Sequence, residues 1–578
     1  MRSEISIRIA GEAGQGIIAV GTMLCRLYKD TGRHIFAIQD YMSRIRGGSN
    51  FFQIRVADKP IFSPRDKADI IIALDKEAVA ANKGSLAGGG LLIMDAEKYG
   101  IKNLEKGWLS APIYSLALEA GGPIYANSVA LGIFTAITCE GPEAAYKVSN
   151  KEFSGKSSEI IENNKLAVRK GFDYAAGRIK DCAFLITGAP HERACLLAGN
   201  EALALGAIAA GCKFYTAYPM SPSTGIMNTM ADYAAKYGII VEQAEDEIAA
   251  INMAVGAGFA GVRAMTGTSG GGFALMCEGL SLAAMTETPV VIALVMRPGP
   301  ATGFPTRTEQ GDLEFALHAG HGEFARAVYS PGSPEEAFLI AKRAFNTAER
   351  FQLPVIILSD QYLAESYMNI CPPNPSVEPQ DRGRLFKTGS DPDTHRYAYT
   401  DDGISPRVLP GRSNILAAAD SDEHGPEGHI TELADVRVRM TDKRLHLKMA
   451  GLSKEILPPT VVNPGAATML CGFGSTLGLL KEVCAAAKNA GFIHYSQVWP
   501  FPAGATYAAL KGTGRVITVE NNASGQLARL IKRETSITPD GSILKYDGRP
   551  FTLDETLSAL ANFYSASKSK DTNPIAQL

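Results

Sequence analysis

The stretch "RAMTGTSGGGFALMCEGLSLAAMTETPVVIALVM", Arg263 to Met296, sets the fold class. "RAMTGT" is short and ends at Ser269 and three glycines, and "GGFALMCEG" then continues as a helix. "PVVIALVM" is an unbroken apolar run, the mark of a strand covered on both faces. Strand, glycine turn, helix and strand in this order form one unit of a parallel sheet. Working outward, "GNEALALGAIAAG" reads as a helix, "KFYTAY" as a strand and "LPVIILSD" as the closing strand. Between them "VEQAEDEIAAINMAVGAGFAG", Val241–Gly261, opens an alanine-rich helix with four acids. The sequence predicts an α/β domain over residues 190–371.

A second α/β domain is predicted over 1–180. It has a strand "ISIRIAG", a glycine turn feeding a helix, and buried strands "ADIIIALD" and "GGLLIMD". Over 372–458 the periodicity fades, which predicts an irregular surface excursion near the site. A third α/β domain is predicted over 459–540, with "IHYSQVWPF" as one of its strands, and a frayed tail over 541–578.

Composition narrows the function. Of 578 residues 46% are hydrophobic and 20% charged, so large cores are expected and long disorder is not. Lys plus Arg number 57 and Asp plus Glu 60, a balance that gives no sign of nucleic-acid binding. The longest apolar run falls well short of the roughly 20 residues that span a bilayer, so a soluble, cytoplasmic protein without membrane contact is expected. The nine cysteines form no Cys-x-x-Cys pair and offer no iron–sulfur or zinc frame.

Several stretches carry chemistry. "GEAGQG" places Gly14 and Gly16 between a strand and a helix, where the spacing suits either anion binding or a tight turn. "MSRIRGGSN" sets Arg44 and Arg46 beside two glycines, either as anion ligands or as solvated charges. In "YTAYPMSPSTGIM", Ser221 reads as a helix N-cap with Pro222 at the first helical position. It stands beyond the carboxyl end of a strand, where α/β sheets bind ligands. Arg297 leaves the "PVVIALVM" strand in the same way, ahead of a stiff loop bearing Thr302 and Thr306. His424 and His429 fit no metal template and read as solvated.

"YPMSPST", "EDEIAA", "TSGGGFALM", "RPGPATGFPT" and "GQLARLI", in this order, resemble the alpha subunit of 2-oxoacid:ferredoxin oxidoreductases, the 2-oxoglutarate type above all. "GEAGQGI", "RIRGGS" and "DKPIFSP" resemble the gamma subunit, here fused in front. The resemblance implies a gamma domain, a pyrimidine-type thiamine-enzyme domain and a transketolase C-terminal-like domain. It also implies oxidative decarboxylation of a 2-oxoacid on thiamine diphosphate, transfer of the acyl group to coenzyme A, and electrons passed to ferredoxin. No Gly-Asp-Gly occurs, so a beta subunit is expected to bring the diphosphate site, Mg²⁺ and a 4Fe–4S cluster, in an (alpha–beta)2 heterotetramer.

Glu247 falls at the family's glutamate that hydrogen-bonds N1′ of the aminopyrimidine ring and promotes loss of the thiazolium C2 proton. Glu245 and Asp246 keep capping roles, and Glu242 sits on the preceding strand exit. Ser221 matches the threonine of Tyr-Pro-Ile-Thr-Pro-Ser, with Met220 for isoleucine. Arg297 matches the arginine that pairs with substrate or coenzyme A, and Thr302 and Thr306 would line the pocket. Gly14, Gly16, Arg44 and Arg46 would meet the cofactor. Gly271 and Ala301 stand where relatives have proline and serine. Branched-chain or aryl 2-oxoacid enzymes are the alternative within the class, and a non-catalytic scaffold paralogue the alternative outside it.

Overall fold

The computed structural model describes residues 2–43, 47–178, 183–189, 191–387, 395–413, 415–566 and 575–577. The chain forms two compact units. The first is Met1–Leu197 with Ser366–Pro372 and Thr552–Glu555, and the second is the remainder. The domain bounds expected from sequence do not include this return of 366–372 to the first unit.

The first unit is built on an eight-stranded sheet. Glu4–Ala13 pairs in parallel with Ala68–Ala73, which pairs with Leu86–Met94. On its other side Gly47–Ala57 and His34–Asp40 run antiparallel. Ile5, Ile7, Ile9, Ile54, Ile70 and Ile72 are fully buried, and they explain the isoleucine-rich strands of the N-terminus. The antiparallel pair was not read from the sequence, because its polar and charged residues, such as Arg55, are buried and paired within the sheet: Arg55 Nε donates to Glu4 at 2.9 Å. Tyr367–Ile370 adds to His34–Asp40 as a further antiparallel strand. Asn369 fixes its register, accepting from Ile35 N (2.9 Å) and donating to Arg33 O (3.0 Å).

The second unit holds two sheets. The seven-stranded one runs Gln497–Trp499, Ala327–Tyr329, Pro354–Asp360, Val290–Met296, Ala264–Thr268, Phe214–Ala217, Ile240–Gln243, and only Gln497–Trp499 is antiparallel to its neighbour. All of Val290–Met296 and Pro354–Asp360 is buried, as their apolar runs demand. The six-stranded sheet centres on Thr468–Phe473 and Arg515–Glu520.

The expected strand "IHYSQVWPF" is two strands. Ala490–Tyr495 belongs to the six-stranded sheet and Gln497–Trp499 to the seven-stranded one. Ser496 is the break: its carbonyl accepts from Ser330 N (2.8 Å) and its hydroxyl donates to Glu336 (2.9 Å). Past residue 540 the chain stays structured, with Gly541–Leu544 and Ile575–Gln577 as paired strands and Leu553–Ala566 as a helix. The frayed tail expected from its polar end is thus replaced, within the described residues, by continued sheet.

The described residues of the excursion 372–458 that pair with Glu349 and Glu287 are not at the strand exits. They lie along the opposite edge, where the strands begin. Glu349 receives Arg263 (2.8 Å), Arg382 (2.8 Å) and Arg407 (2.6 Å), and Glu287 receives Lys448 (2.6 Å) and Lys443. Arg263 immediately precedes the strand from Ala264, and Glu287 comes just before the one from Val290. His424, expected to be solvated, is fully buried with its ring 4.4 Å from Tyr397.

Removing the carboxylate from Glu349 strands buried cations without a partner. Glu349→Ala is expected to cost about 3–5 kcal/mol, because an unpaired buried charge is left behind. Urea unfolding of the variant measures it, and an unchanged midpoint would show that solvent already satisfies those arginines.

Candidate functional site

Three strand exits meet at the carboxyl edge of the seven-stranded sheet, the edge that binds ligands in open α/β folds. After Phe214–Ala217 the chain passes Tyr218 and turns through a cis Ser221–Pro222 bond. The helix begins later than expected, at Thr224. Ser223 holds its start, and the Ser223 hydroxyl donates to Met220 O at 2.7 Å. Ser221 therefore is not the N-cap, nor Pro222 the first helical residue. Ser221 is exposed at the tip of the turn.

Arg297 leaves Val290–Met296 and its Nη1 donates to Ser221 O at 2.7 Å. Two residues picked out on separate loops are thus in contact. Arg297 is half-buried, and burial draws its pKa below the ordinary value. Among the described residues no carboxylate pairs with it, so its charge is left to meet an anion from outside the chain.

The loop that follows is stiff. Gly303 has φ 53°, and a Cβ there would stand 1.7 Å from Pro298 O, so only glycine fits. Phe304 N closes the loop on Pro298 O at 3.1 Å. Thr302 is exposed at its tip, while Thr306 is turned inward and only 9% exposed. The two threonines therefore do not face the same space. The base of the loop is fastened to the third domain. Gln310 N donates to Asn521 O (2.6 Å), Asn521 N to Gln310 Oε1 (3.1 Å) and Gln310 Nε2 to Phe473 O (2.9 Å).

The acids of "VEQAEDEIAA" separate by environment. Asp246 is the N-cap of the helix Glu247–Phe259 and accepts from Ala249 N at 2.7 Å. Glu245, expected to share the capping, does not do so. Like Glu242 it is exposed. Glu247 is 3% exposed and its Oε1 has no hydrogen-bond partner. It lies under Ser269–Gly272, where the expected glycine turn is instead the N-cap and first turn of the helix Gly270–Leu275. A Cβ on Gly272 would come 2.5 Å from Glu247 Oε1 and 2.0 Å from Thr268 Oγ1. The hydroxyls of Thr266, Thr268 and Ser269 and one oxygen of Asp312 are also buried without partners. Such a concentration of unsatisfied groups in one place marks a functional crease rather than a core.

In the first unit, Gly14 and Gly16 have φ 92° and 75° and precede the helix Ile17–Asp30. That helix has neither a side-chain cap nor an acid in its first turn. A cavity of about 270 Å³ opens there, lined among others by Gln15, Lys98, Tyr114 and Asn127. Lys98 was missed from sequence. Its signal was its place just after the exit of the strand "GGLLIMD", and its ammonium stands 4.3 Å over the Tyr114 ring. A second, more apolar cavity of about 370 Å³ shares Gly14 and Gly16. Arg44 and Arg46 lie outside the described residues.

Known proteins match this arrangement along the chain. A family model described as pyruvate ferredoxin/flavodoxin oxidoreductase matches residues 6–174. One described as pyruvate flavodoxin/ferredoxin oxidoreductase, thiamine diP-bdg, matches 205–443. A 2-oxoacid:ferredoxin oxidoreductase subunit alpha from a Sulfolobus species is 33% identical, covering 96% of both chains. A 2-oxoglutarate synthase subunit KorA from Methanothermobacter thermautotrophicus is 34% identical, covering 58% of this chain and 89% of its own. The solved 2-oxoglutarate:ferredoxin oxidoreductase from Magnetococcus marinus, with 2-oxoglutarate, coenzyme A and succinyl-CoA bound, superposes with a TM-score of 0.89. It is 31% identical, covering 97% of this chain and 100% of that one.

The packing at Gly272 makes a local prediction. Gly272→Ala drives a methyl into Thr268 and Glu247, and overpacking of this kind costs about 1–3 kcal/mol. A thermal melt of the variant against the parent checks this, and an unaltered melt would mean that the turn moves aside freely.

Proposed function

Because the chain belongs to the 2-oxoacid:ferredoxin oxidoreductases, as an alpha-type subunit fused behind a gamma-type domain, we propose that it supplies half of an active site for the oxidative decarboxylation of 2-oxoglutarate with coenzyme A. Thiamine diphosphate, when bound, provides the nucleophilic carbon and holds the electrons that the departing CO2 leaves behind. This chain's residues bind, orient and move protons around it.

The observation that carries the reading is the buried, partnerless Glu247 carboxylate oxygen at the strand-exit edge. Left alone, a buried carboxylate is costly, so it fits a ring nitrogen that donates to it from outside the chain. Glu245 gives a second reading. It is exposed and stands just beyond the strand Ile240–Gln243, and a group carried by another chain reaches surface atoms first. Arg297 and Ser221 would hold the carboxylate next to the oxo group. Thr302 would meet the distal end of the substrate, with Thr306 supporting the loop from within. Gly14, Gly16, Arg44 and Arg46 would serve coenzyme A, and Lys98, which lines the same cavity as Gly14 and Gly16, would be a cation for its phosphates.

A beta subunit carrying the diphosphate, Mg²⁺ and the 4Fe–4S cluster is the proposed partner, and ferredoxin the electron acceptor. Large apolar side chains stand exposed on elements at the site: Tyr218 (40%), Ile248 (49%) and Phe304 (58%). Apolar surface grouped in this way suits a protein partner. A branched-chain or aryl substrate remains the alternative within the class.

Two measurements on the chain assembled with its beta subunit test this. In Glu247→Gln, exchange of the cofactor's C2 proton should fall by more than about 100-fold, the scale of a lost proton-transfer group. Normal exchange there together with a loss in Glu245→Gln would move the role to Glu245, and normal exchange in both would remove the role from this helix. Arg297→Ala should raise KM for 2-oxoglutarate about tenfold or more, as the loss of a charge-assisted bond does. Unaltered kinetics with 2-oxoglutarate and coenzyme A alike would reject that assignment.

A further inference from the structure

Asp312 occupies the N-cap position of the helix Leu313–His318, yet its side chain makes no capping bond. Gln526 takes that part instead, accepting from Glu314 N at 2.9 Å. The freed Asp312 carboxyl lies flat against the glycine turn. A Cβ on Gly270 would be 2.5 Å from its Oδ2 and 3.0 Å from both its Oδ1 and its Cγ. Oδ2 is buried and receives no donor.

Among the described residues no cationic side chain pairs with the Asp312 carboxyl. Glu309, on the same loop, offers no positive charge. Glu247 stands on the far side of the turn, next to Gly272. Glu314 on its own helix is occupied by Arg529 at 3.3 Å. The backbone between Glu309 and Asp312 cannot yield, because Gln310 and Gly311 are fastened to Asn521, Phe473 and Gln526. The loop that follows Arg297 comes close to this turn, since a Cβ on Gly271 would lie 3.8 Å from Ala301 O.

We propose that Asp312 is a positioning residue: carrying a proton, it supports the Ser269–Gly272 segment from the face opposite Glu247, and its ionisation shifts that segment relative to the neighbouring loop after Arg297. This rests on the functional reading above. Desolvation pushes the Asp312 pKa up to about 6. Desolvation and repulsion from Asp312 push Glu309 up to about 7. An acid whose folded pKa lies above its unfolded one binds its proton more tightly when folded. Stability is therefore lost as pH rises from the unfolded value, through about 6, and the loss is complete above it.

The test compares wild type, Asp312→Asn and Asp312→Ala. With the assembled enzyme and 2-oxoglutarate, wild-type KM should rise by about threefold between pH 5.5 and 8 while kcat follows its own profile. Asp312→Asn, which keeps the shape without the charge, should remove this rise. Asp312→Ala, which removes the support, should show the high KM at every pH. A KM profile of Asp312→Asn that overlays the wild type overturns the proposal. Melting of the chain over the same pH range keeps the test separate from the reaction. Wild type should lose melting temperature relative to Asp312→Asn as pH rises, and parallel curves overturn the proposal whatever substrate the enzyme uses.

Discussion

Glu349 is the carboxylate on which the second unit turns. It is 2% exposed and receives three guanidinium groups, one from the start of a central strand and two from the excursion. A single acid facing three bases is unstable in a low-dielectric interior unless every partner is held in place. The surplus is absorbed by carbonyls and amides. Arg263 also donates to Asn346 Oδ1 (3.0 Å) and Asp381 O (2.7 Å), and Arg382 to Gly261 O (2.6 Å). Glu287 repeats the device with two lysines, and its pKa is held far below the usual range by Lys443, Lys448 and Arg396 against the desolvation that would raise it. These two hubs fix the long segment after Pro372, whose last part from Ala434 to Leu452 is helical, to the edge where the strands start. The edge where they end is left to the site.

That division explains why the site is built of tight turns. A parallel sheet delivers its strand exits to one edge, and the groups that do chemistry must reach out from there on short connections. Each connection is constrained in its own way. Ser223 ties the first turn, the closure of Phe304 on Pro298 shapes the loop after Arg297, and the glycines at 270 and 272 let a carboxyl pack against each. Rigid support of this sort is what a site needs to hold a substrate in one orientation. It also carries a cost, visible in the partnerless hydroxyls and carboxylates that gather there.

Much of this was legible in the sequence, and the limits have physical reasons. Buried parallel strands announce themselves, so Val290–Met296 and Pro354–Asp360 were plain. The antiparallel strands of the first unit were not, since Arg55 and Gln53 look solvated on the page and are buried in bonds to Glu4 and Ser6 of the neighbouring strand. The excursion was placed by composition, and composition is silent about which end of a sheet a segment covers. Its charged residues were the available signal, but an arginine bound for a buried carboxylate looks like any other arginine. Ser221 and Arg297 were found through position alone, as the residues just beyond two strands. Their contact depended on a turn whose cap is Ser223, and Ser221 and Ser223 flank the same proline.

The four acids at Val241–Gly261 show where residue identity stops being informative. Alignment to the family along the small residues of the helix singles out Glu247, and the structure gives Glu247 an environment unlike that of its neighbours. Burial cuts both ways, however. It raises the need for a donor and narrows the approach by which one arrives. Asp246 is excluded by its bond to Ala249 N, because an acid already engaged as a cap has its best lone pair occupied. Glu245 has the approach without the desolvation, and Glu247 the desolvation with little approach. The thiamine ring is proposed to be carried by a second chain, so the choice between them depends on how deeply that chain enters the crease beneath Gly272. The exposed Ile248 between the helix start and Ala249 is the apolar surface that such an entry would cover.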